Sequence, residues 1–357
     1  MKILTIVGAR PQFIKAAAVS RAIGTNKSMT EVILHTGQHY DDSMSEVFFR
    51  EMEIPKPIIN LEIRASLHGE MTAQMLTGIE QSILNEKPDA VMVYGDTNST
   101  LAGALAAAKL NIKLIHVEAG LRSFNMTMPE EINRIVTDRI SNLLCCPTDH
   151  AISNLKAEGF DRMNIAIVKT GDVMQDAAMY YSQRSANYST IIKDLGLSNY
   201  ILCTLHRQEN TNDPHRLNEI VKAINFINSK TPVVLPLHPR TKKTFEVLGI
   251  IPECKIISPV GYFDMIELIK SSSLVMTDSG GLQKEAYFFS KNCVTLRDET
   301  EWLELVENGF NILAGADSKK IIYCVDKFLH KEFMSGTELY GGGHAGEKIV
   351  AAIEKYC

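Results

Sequence analysis

The stretch Asp278-Ser-Gly-Gly-Leu-Gln-Lys-Glu285 has residue types and spacing suited to binding an anion. The apolar run Leu274 to Thr277 reads as a strand, and Leu282 to Phe289 reads as a helix. Ser279, Gly280 and Gly281 therefore sit where a strand turns into a helix N-terminus. Such a turn offers free backbone N–H groups, the positive end of a dipole and no Cβ to obstruct approach. Glu285 lies about one helical turn further on. Its carboxylate can accept from two neighbouring hydroxyls, such as a ribose diol. Together these residues suit a nucleoside diphosphate, although a Gly-rich turn capped by Ser279 would look the same.

A second set of residues suits proton transfer. Asp96, Glu118 and Glu130 are carboxylates in the first half of the chain, and His206 lies in the second. Carboxylates crowded in one site raise each other's pKa and become donors and acceptors near neutrality. Asp96 also reads as an N-cap, and Glu130 as a first-turn acid favoured by the dipole. Glu118, at a strand end before Ala-Gly, is a less natural structural choice. His206 can act as acid, base or phosphate partner, and His238, in His-Pro-Arg240, is a second candidate. Arg207, Arg240 and Arg297 are candidate phosphate contacts. Arg10 and Lys15 flank the first turn and helix, one turn apart. No metal is expected, since no HxxxH or DxD spacing occurs, and Ser153 and Ser279 lack a nucleophile elbow. Trp302 reads as a packing residue.

The elements that must position these groups alternate. Strands are expected at 2–7, 31–35, 90–94, 114–117 and 143–146. Helices are expected at 12–23, 43–52, 69–85 and 100–110, with another opening at Pro129. The pattern breaks near Thr170 to Asp176, and the polar region Tyr181 to Thr190 shows little apolar periodicity. The domain boundary is placed here, giving domains 1–175 and 190–340. Strands then recur at 200–205, 232–237, 255–257, 274–277, 292–296 and 311–313. Helices recur at 214–228 and 263–270, and the last is 347–356. Alternation of this kind implies α/β domains with parallel sheets and right-handed crossovers. Arg10, Asp96, Glu118, His206, His238 and Asp278 each follow an apolar strand within three residues, where such sheets bind ligands. Their placement suggests a cleft between two facing domains.

Composition sets the remaining bounds. The chain has 357 residues, 45% hydrophobic and 22% charged, with a formal net charge of −5. It shows no basic run or aromatic ladder, which argues against nucleic acid. Apolar stretches are too short to span a bilayer, and Met1 to Val7 reads as a strand, not a signal peptide. Seven Cys with no CxxC suggest reduced thiols in a cytoplasmic protein.

Over nearly its whole length the chain resembles the non-hydrolysing UDP-N-acetylglucosamine 2-epimerases. The blocks that carry the resemblance begin with Gly8-Ala-Arg-Pro-Gln-Phe-Ile-Lys15, Thr36-Gly-Gln-His39 and Gly95-Asp-Thr97. They continue with His116-Val-Glu-Ala-Gly-Leu-Arg122 and Pro129-Glu-Glu-Ile-Asn-Arg134. The last are His206-Arg-Gln-Glu-Asn210, Asp278 to Glu285 and Leu296-Arg-Asp-Glu-Thr-Glu301. The resemblance implies the GT-B architecture: two Rossmann-like domains, the active site in the cleft between them, and a C-terminal helix 345–357 packing back on the first. It implies a homodimer, a UDP-sugar substrate and no cofactor. It also implies the chemistry: UDP is eliminated across C1–C2 to a 2-acetamidoglucal, then re-added with the proton delivered to the other face of C2. Asp96, Glu118 and Glu130 become the acid/base candidates, with the faces unassigned, and His206 assists the diphosphate or the proton transfer. Arg10, Lys15, His238, Phe263, Ser279, Gly280, Gly281, Glu285 and Arg297 become substrate-binding candidates. Gln38 and His39 match an allosteric nucleotide-sugar site found in some members.

The family commonly opens GTRPEAIK, where this chain has Gln12 and Phe13, and the loop between Arg122 and Pro129 is short. These departures are expected beside the sugar. The leading expectation is conversion of UDP-N-acetylglucosamine to UDP-N-acetylmannosamine, and the departures offer as the alternative a related branch acting on UDP-2,3-diacetamido-2,3-dideoxyglucuronate, whose carboxylate would favour an added cation such as Arg122 or Lys15. UDP-N-acetylglucosamine remains the simplest substrate. A hydrolysing relative, a GT-B glycosyltransferase and a UDP-sugar sensor are the other readings.

Overall fold

The computed structural model describes residues 1–37, 57–65, 67–334 and 336–357, with Arg10 and Pro11 described by their backbone. The helix expected at 43–52 lies outside the described residues, as do Gln38 and His39. The chain divides into two compact units, Met1–Ala177 with Glu338–Cys357, and Ala178–Thr337.

The first unit is built on a seven-stranded parallel sheet. Its strands are β1 Lys2–Val7, β2 Thr30–His35, β3 Ile59–Asn60, β4 Ala90–Tyr94, β5 Lys113–Val117, β6 Leu143–Cys146 and β7 Ala166–Lys169. Their order is β3-β2-β1-β4-β5-β6-β7. The central strands β1, β4, β5 and β6 are buried along most of their length because helices cover the sheet. Leu4, Ile6, Val91 and Val93 pack with Met75, Ile79 and Ile83 of the helix His68–Glu86 and with Ala102 and Ala106 of Asn98–Lys109. The C-terminal helix Ala345–Tyr356 packs on the first helix, Arg10–Thr25. A Cβ at Gly346 would lie 2.9 Å from the Ala18 carbonyl oxygen, so the close approach requires glycine. Asp176 accepts from the amides of Ala345 and Gly346 and caps that last helix.

The second unit repeats the plan with six parallel strands. They are β8 Ile201–Thr204, β9 Val233–Pro236, β10 Lys255–Ile257, β11 Leu274–Thr277, β12 Cys293–Thr295 and β13 Asn311–Leu313, in the order β10-β9-β8-β11-β12-β13. Alternate strand residues feed opposite faces. Ile201, Cys203 and Met276 pack on the helices Pro214–Asn228 and Ser318–Leu329, whereas Leu202 and Val275 pack on Tyr262–Ser271 and Gly280–Phe288. Both units are Rossmann-like.

One expectation of local structure needs correction. The polar region from Tyr181 belongs to a helix, Val173–Tyr188. Tyr181 and Ser185, at i and i+4, are buried on one face, and the exposed Tyr188 follows at i+7. Tyr181 meets Tyr262 edge-on, Tyr188 stacks on Phe263 at 5.7 Å, and Ser185 donates to Glu267.

Candidate active site

In each sheet the strand order reverses once, between β1 and β4 in the first unit and between β8 and β11 in the second. The crevice beyond the carboxyl ends of such a pair is where open α/β sheets take ligands. In the first unit this edge carries Gly8 to Lys15 after β1 and Gly95-Asp96 after β4, with Glu118 after the neighbouring β5. In the second it carries His206 and Arg207 after β8 and Asp278 to Gly281 after β11, with Arg297 after β12.

The acids of the first unit are held by cations. Lys15, in the second turn of its helix, forms an ion pair with Glu118, and both side chains are largely buried. Glu118 sits at φ 71°, a left-handed conformation that costs a non-glycine residue about 1–2 kcal/mol. Gly95, at φ +62°, lies directly against this pair. A Cβ there would stand 3.0 Å from Lys15 Nζ and 3.1 Å from a Glu118 oxygen. Asp96 is partly exposed and paired with Arg134. Arg134 also pairs with the fully buried Glu131, which accepts from the amides of Ser123 and Phe124 and so fixes the loop before Pro129. Glu130, one residue earlier, is exposed. The adjacent acids therefore divide the work: Glu131 builds, and Glu130 faces solvent.

In the second unit the organising group is Asp278, which is completely buried. It accepts from the amides of His206 and Arg207 and lies 3.1 Å from His206 Nδ1, while the His206 side chain is half exposed. Burial alone would push the Asp278 carboxyl up, but the His206 ring and these amides outweigh it and hold the carboxyl below the usual range. Ser279 caps the helix Gly280–Phe288, its hydroxyl accepting from Leu282 N. Gly281 is exposed with open space around it, and Glu285 is buried one turn further in. Arg297 is buried and donates to Glu301 at 2.8 Å, while its Nε has no hydrogen-bond partner among the described residues. Burial would raise Glu301, but Arg297 and Arg207 hold its carboxyl down.

Other candidates stand differently. His238 is an exposed N-cap whose Nδ1 accepts from Arg240 N at 3.3 Å. Phe263 is engaged in the aromatic packing with Tyr188. Of Arg10 only the backbone is described, in the first helical turn. Gln12 and Phe13 are buried and engaged inside the first unit. Gln12 accepts from the amides of Gly8 and Ala9 and donates to the Tyr94 carbonyl and Thr100 hydroxyl, tying β1 to β4 from inside, and Phe13 stacks on His35. Arg122 is no ligand for a sugar carboxylate either. It is 3% exposed and fully engaged by Leu121 O, Asp138 and a bidentate pair with Glu158.

Sequence reasoning missed the buried partners Arg134, Asp138 and His116. The signals were a histidine inside the apolar run Leu114 to Val117 and an Arg–Asp pair at i, i+4 on the helix from Pro129. Among the described residues no cluster of His, Cys, Asp and Glu is arranged to hold a metal, and no helix is long and apolar enough to cross a membrane.

Comparison with known proteins fits this arrangement. The profile of the UDP-N-acetylglucosamine 2-epimerase family matches residues 21–354. The chain is 55% identical to the UDP-2,3-diacetamido-2,3-dideoxy-D-glucuronate 2-epimerase of Pseudomonas aeruginosa, over 99% of this chain and 100% of that protein. It is 42% identical to the UDP-N-acetylglucosamine 2-epimerase of Methanocaldococcus jannaschii, over 99% of each. The crystal structure of UDP-GlcNAc 2-epimerase from that organism, in complex with UDP-GlcNAc and UDP, superposes with a TM-score of 0.92 at 41% identity, covering 99% of this chain and 100% of that one.

Proposed function

The chain belongs to the UDP-N-acetylglucosamine 2-epimerase family, isomerases of nucleotide sugars, and from that premise we propose that it inverts C2 of UDP-2,3-diacetamido-2,3-dideoxy-D-glucuronate. The observation that carries this choice of sugar is the full-length match at 55% to the Pseudomonas aeruginosa enzyme, against 42% to the Methanocaldococcus jannaschii one. A second reading, UDP-N-acetylglucosamine, is favoured by the solved structure holding that ligand.

The chemistry needs an indirect route, because the C2 proton sits on an unactivated carbon. A base removes it as the C1–O bond breaks and UDP leaves, giving a glycal. A UDP oxygen then adds back to C1 while an acid delivers a proton to the other face of C2. Asp96, Glu118 and Glu130 are the acid/base groups of the first unit, and the turns at Gly95 and Glu118 hold two of them by backbone geometry. Lys15 keeps an ammonium on Glu118. In the second unit the turn at Ser279 and Gly280 takes the diphosphate on its free amides. His206, oriented by the ionised Asp278, lies beside it to stabilise the leaving UDP. Glu285 takes the ribose, and Arg297 a phosphate oxygen.

Proton NMR in D₂O with each UDP-sugar tests this. The expected result is the C2 epimer carrying deuterium at C2, formed faster from the diacetamido uronate. Free sugar plus UDP would make the protein a hydrolase, and no turnover of either sugar by folded, UDP-binding protein would refute the assignment.

A further inference from the structure

The site described above does not use His116, a completely enclosed ring beside the acids of the first unit. Its side chain is 0% exposed, on the penultimate residue of β5. Nδ1 lies 2.6 Å from Asp138 Oδ1, and Nε2 lies 2.7 Å from the Gly95 carbonyl oxygen. The second Asp138 oxygen accepts from Gly120 N at 3.1 Å and from Arg122 Nη1 at 2.7 Å. A neutral imidazole has one donor and one acceptor nitrogen. Here Nδ1 faces a carboxylate oxygen and Nε2 a carbonyl oxygen, and a ring bonded to both would donate from each. Burial would push the Asp138 carboxyl up, but His116 and Arg122 hold it below the usual range. Arg122 pairs with Glu158 as well as with Asp138.

The two ends of this bridge reach two turns that lack regular secondary structure. Gly95, at φ +62°, immediately precedes Asp96, and Gly120, at φ +80°, closes the turn that holds Glu118 at φ 71°. Beyond Tyr94 and Val117 the backbone holds them by Gly95 N donating to Val117 O and by Glu118 N and Ala119 N donating to Cys145 O, while the residues that follow, Asp96 and Gly120, make no such bond to a neighbouring strand among the described residues. We propose that His116 is a positioning residue: as a buried imidazolium it clips the Gly95-Asp96 turn to the Glu118-Gly120 turn through Asp138, and so sets the placement of both carboxylates. The role rests on the epimerase reading for its catalytic meaning, and on the bridge itself for its structural content. A displacement of about 1 Å in a reacting group can cost about 10²-fold in rate.

The test uses the full chain. Ring ¹⁵N NMR of histidine-labelled protein at neutral pH is expected to show one imidazole with both nitrogens protonated, absent in His116→Gln. Because Gln places its amide near Nε2 and Asn near Nδ1, H116Q keeps a donor for Gly95 and H116N keeps one for Asp138. Each is expected to lose about 10–100-fold in kcat with KM within about threefold, and H116A to lose about 10²-fold or more. UDP affinity, carried by the second unit, is expected to stay unchanged in all three. A single-proton ¹⁵N pattern for His116 overturns the proposal. So does kcat within threefold of wild type in folded H116A, or a loss shared equally between kcat and KM. If the variants do not fold, the wild-type ¹⁵N spectrum decides. If wild type turns over no UDP-sugar, the epimerase reading fails while that spectrum still reports the bridge.

Discussion

Replacing Lys15 by Met tests whether the Lys15–Glu118 pair is the buried element the structure makes it. The side chains are 11% and 7% exposed. That places the pair outside the class of surface ion pairs, which contribute about 0–1 kcal/mol. Removing one partner of a buried pair costs about 3–5 kcal/mol. Met has nearly the length of Lys and keeps the apolar packing of the stem, so the loss is electrostatic. In the double variant Lys15→Met, Glu118→Gln no charge is left, and most of the loss should return, a coupling of about 2–3 kcal/mol. The assay must watch the right unit. The sole tryptophan, Trp302, lies in the second unit and its fluorescence does not report on this pair. Hydrogen exchange read by mass spectrometry on peptides spanning 90–122 does. Those peptides should exchange about 10²–10⁴-fold faster in Lys15→Met, from about 1.36 kcal/mol per tenfold. Peptides spanning 274–296 should not change. Acceleration below about tenfold, or no recovery in the double variant, would refute the reasoning.

Three other outcomes follow from the geometry. Asp96→Asn and Glu118→Gln should each lower turnover by about 10²–10⁴-fold with UDP binding intact, measured by NMR turnover and by titration calorimetry. Gly280→Ala meets no backbone strain, since its φ is ordinary. Its Cβ would nonetheless stand 2.5 Å from one oxygen of Glu301, whose other oxygen Arg297 holds, so UDP affinity should fall about tenfold while the melting temperature holds. Asp278 has a depressed folded-state pKa, so its stabilisation is fully present above the ordinary carboxylate range near ~4 and is lost as pH falls through its folded value. Asp278→Asn should therefore flatten the decline in urea midpoint below about pH 4, and an unchanged slope would count against the His206–Asp278 arrangement.

What the sequence revealed and what it hid follow one physical rule. Strands buried on both faces are short continuous apolar runs, and β4, β6 and β11 match their expected bounds for that reason. The second half of the helix Val173–Tyr188 is hidden because its buried positions there, Tyr181 and Ser185, carry hydroxyls although their spacing is helical. The same limit applies at the candidate site. Residue type and position after a strand are enough to single out Asp96, Glu118, His206 and Ser279 as groups able to do chemistry. They do not show which charge answers which. Glu130 and Glu131 are indistinguishable on paper, yet one is exposed and the other is sealed beneath Arg134. Arg122 looks like a free cation beside the sugar until the bidentate contact with Glu158, thirty-six residues on, engages it. Pairings between distant charges are fixed by the tertiary fold. An acid at a strand end is therefore legible from sequence, and the buried cation that sets its position, Lys15 for Glu118 or Arg134 for Asp96, becomes visible only once the sheet order is known.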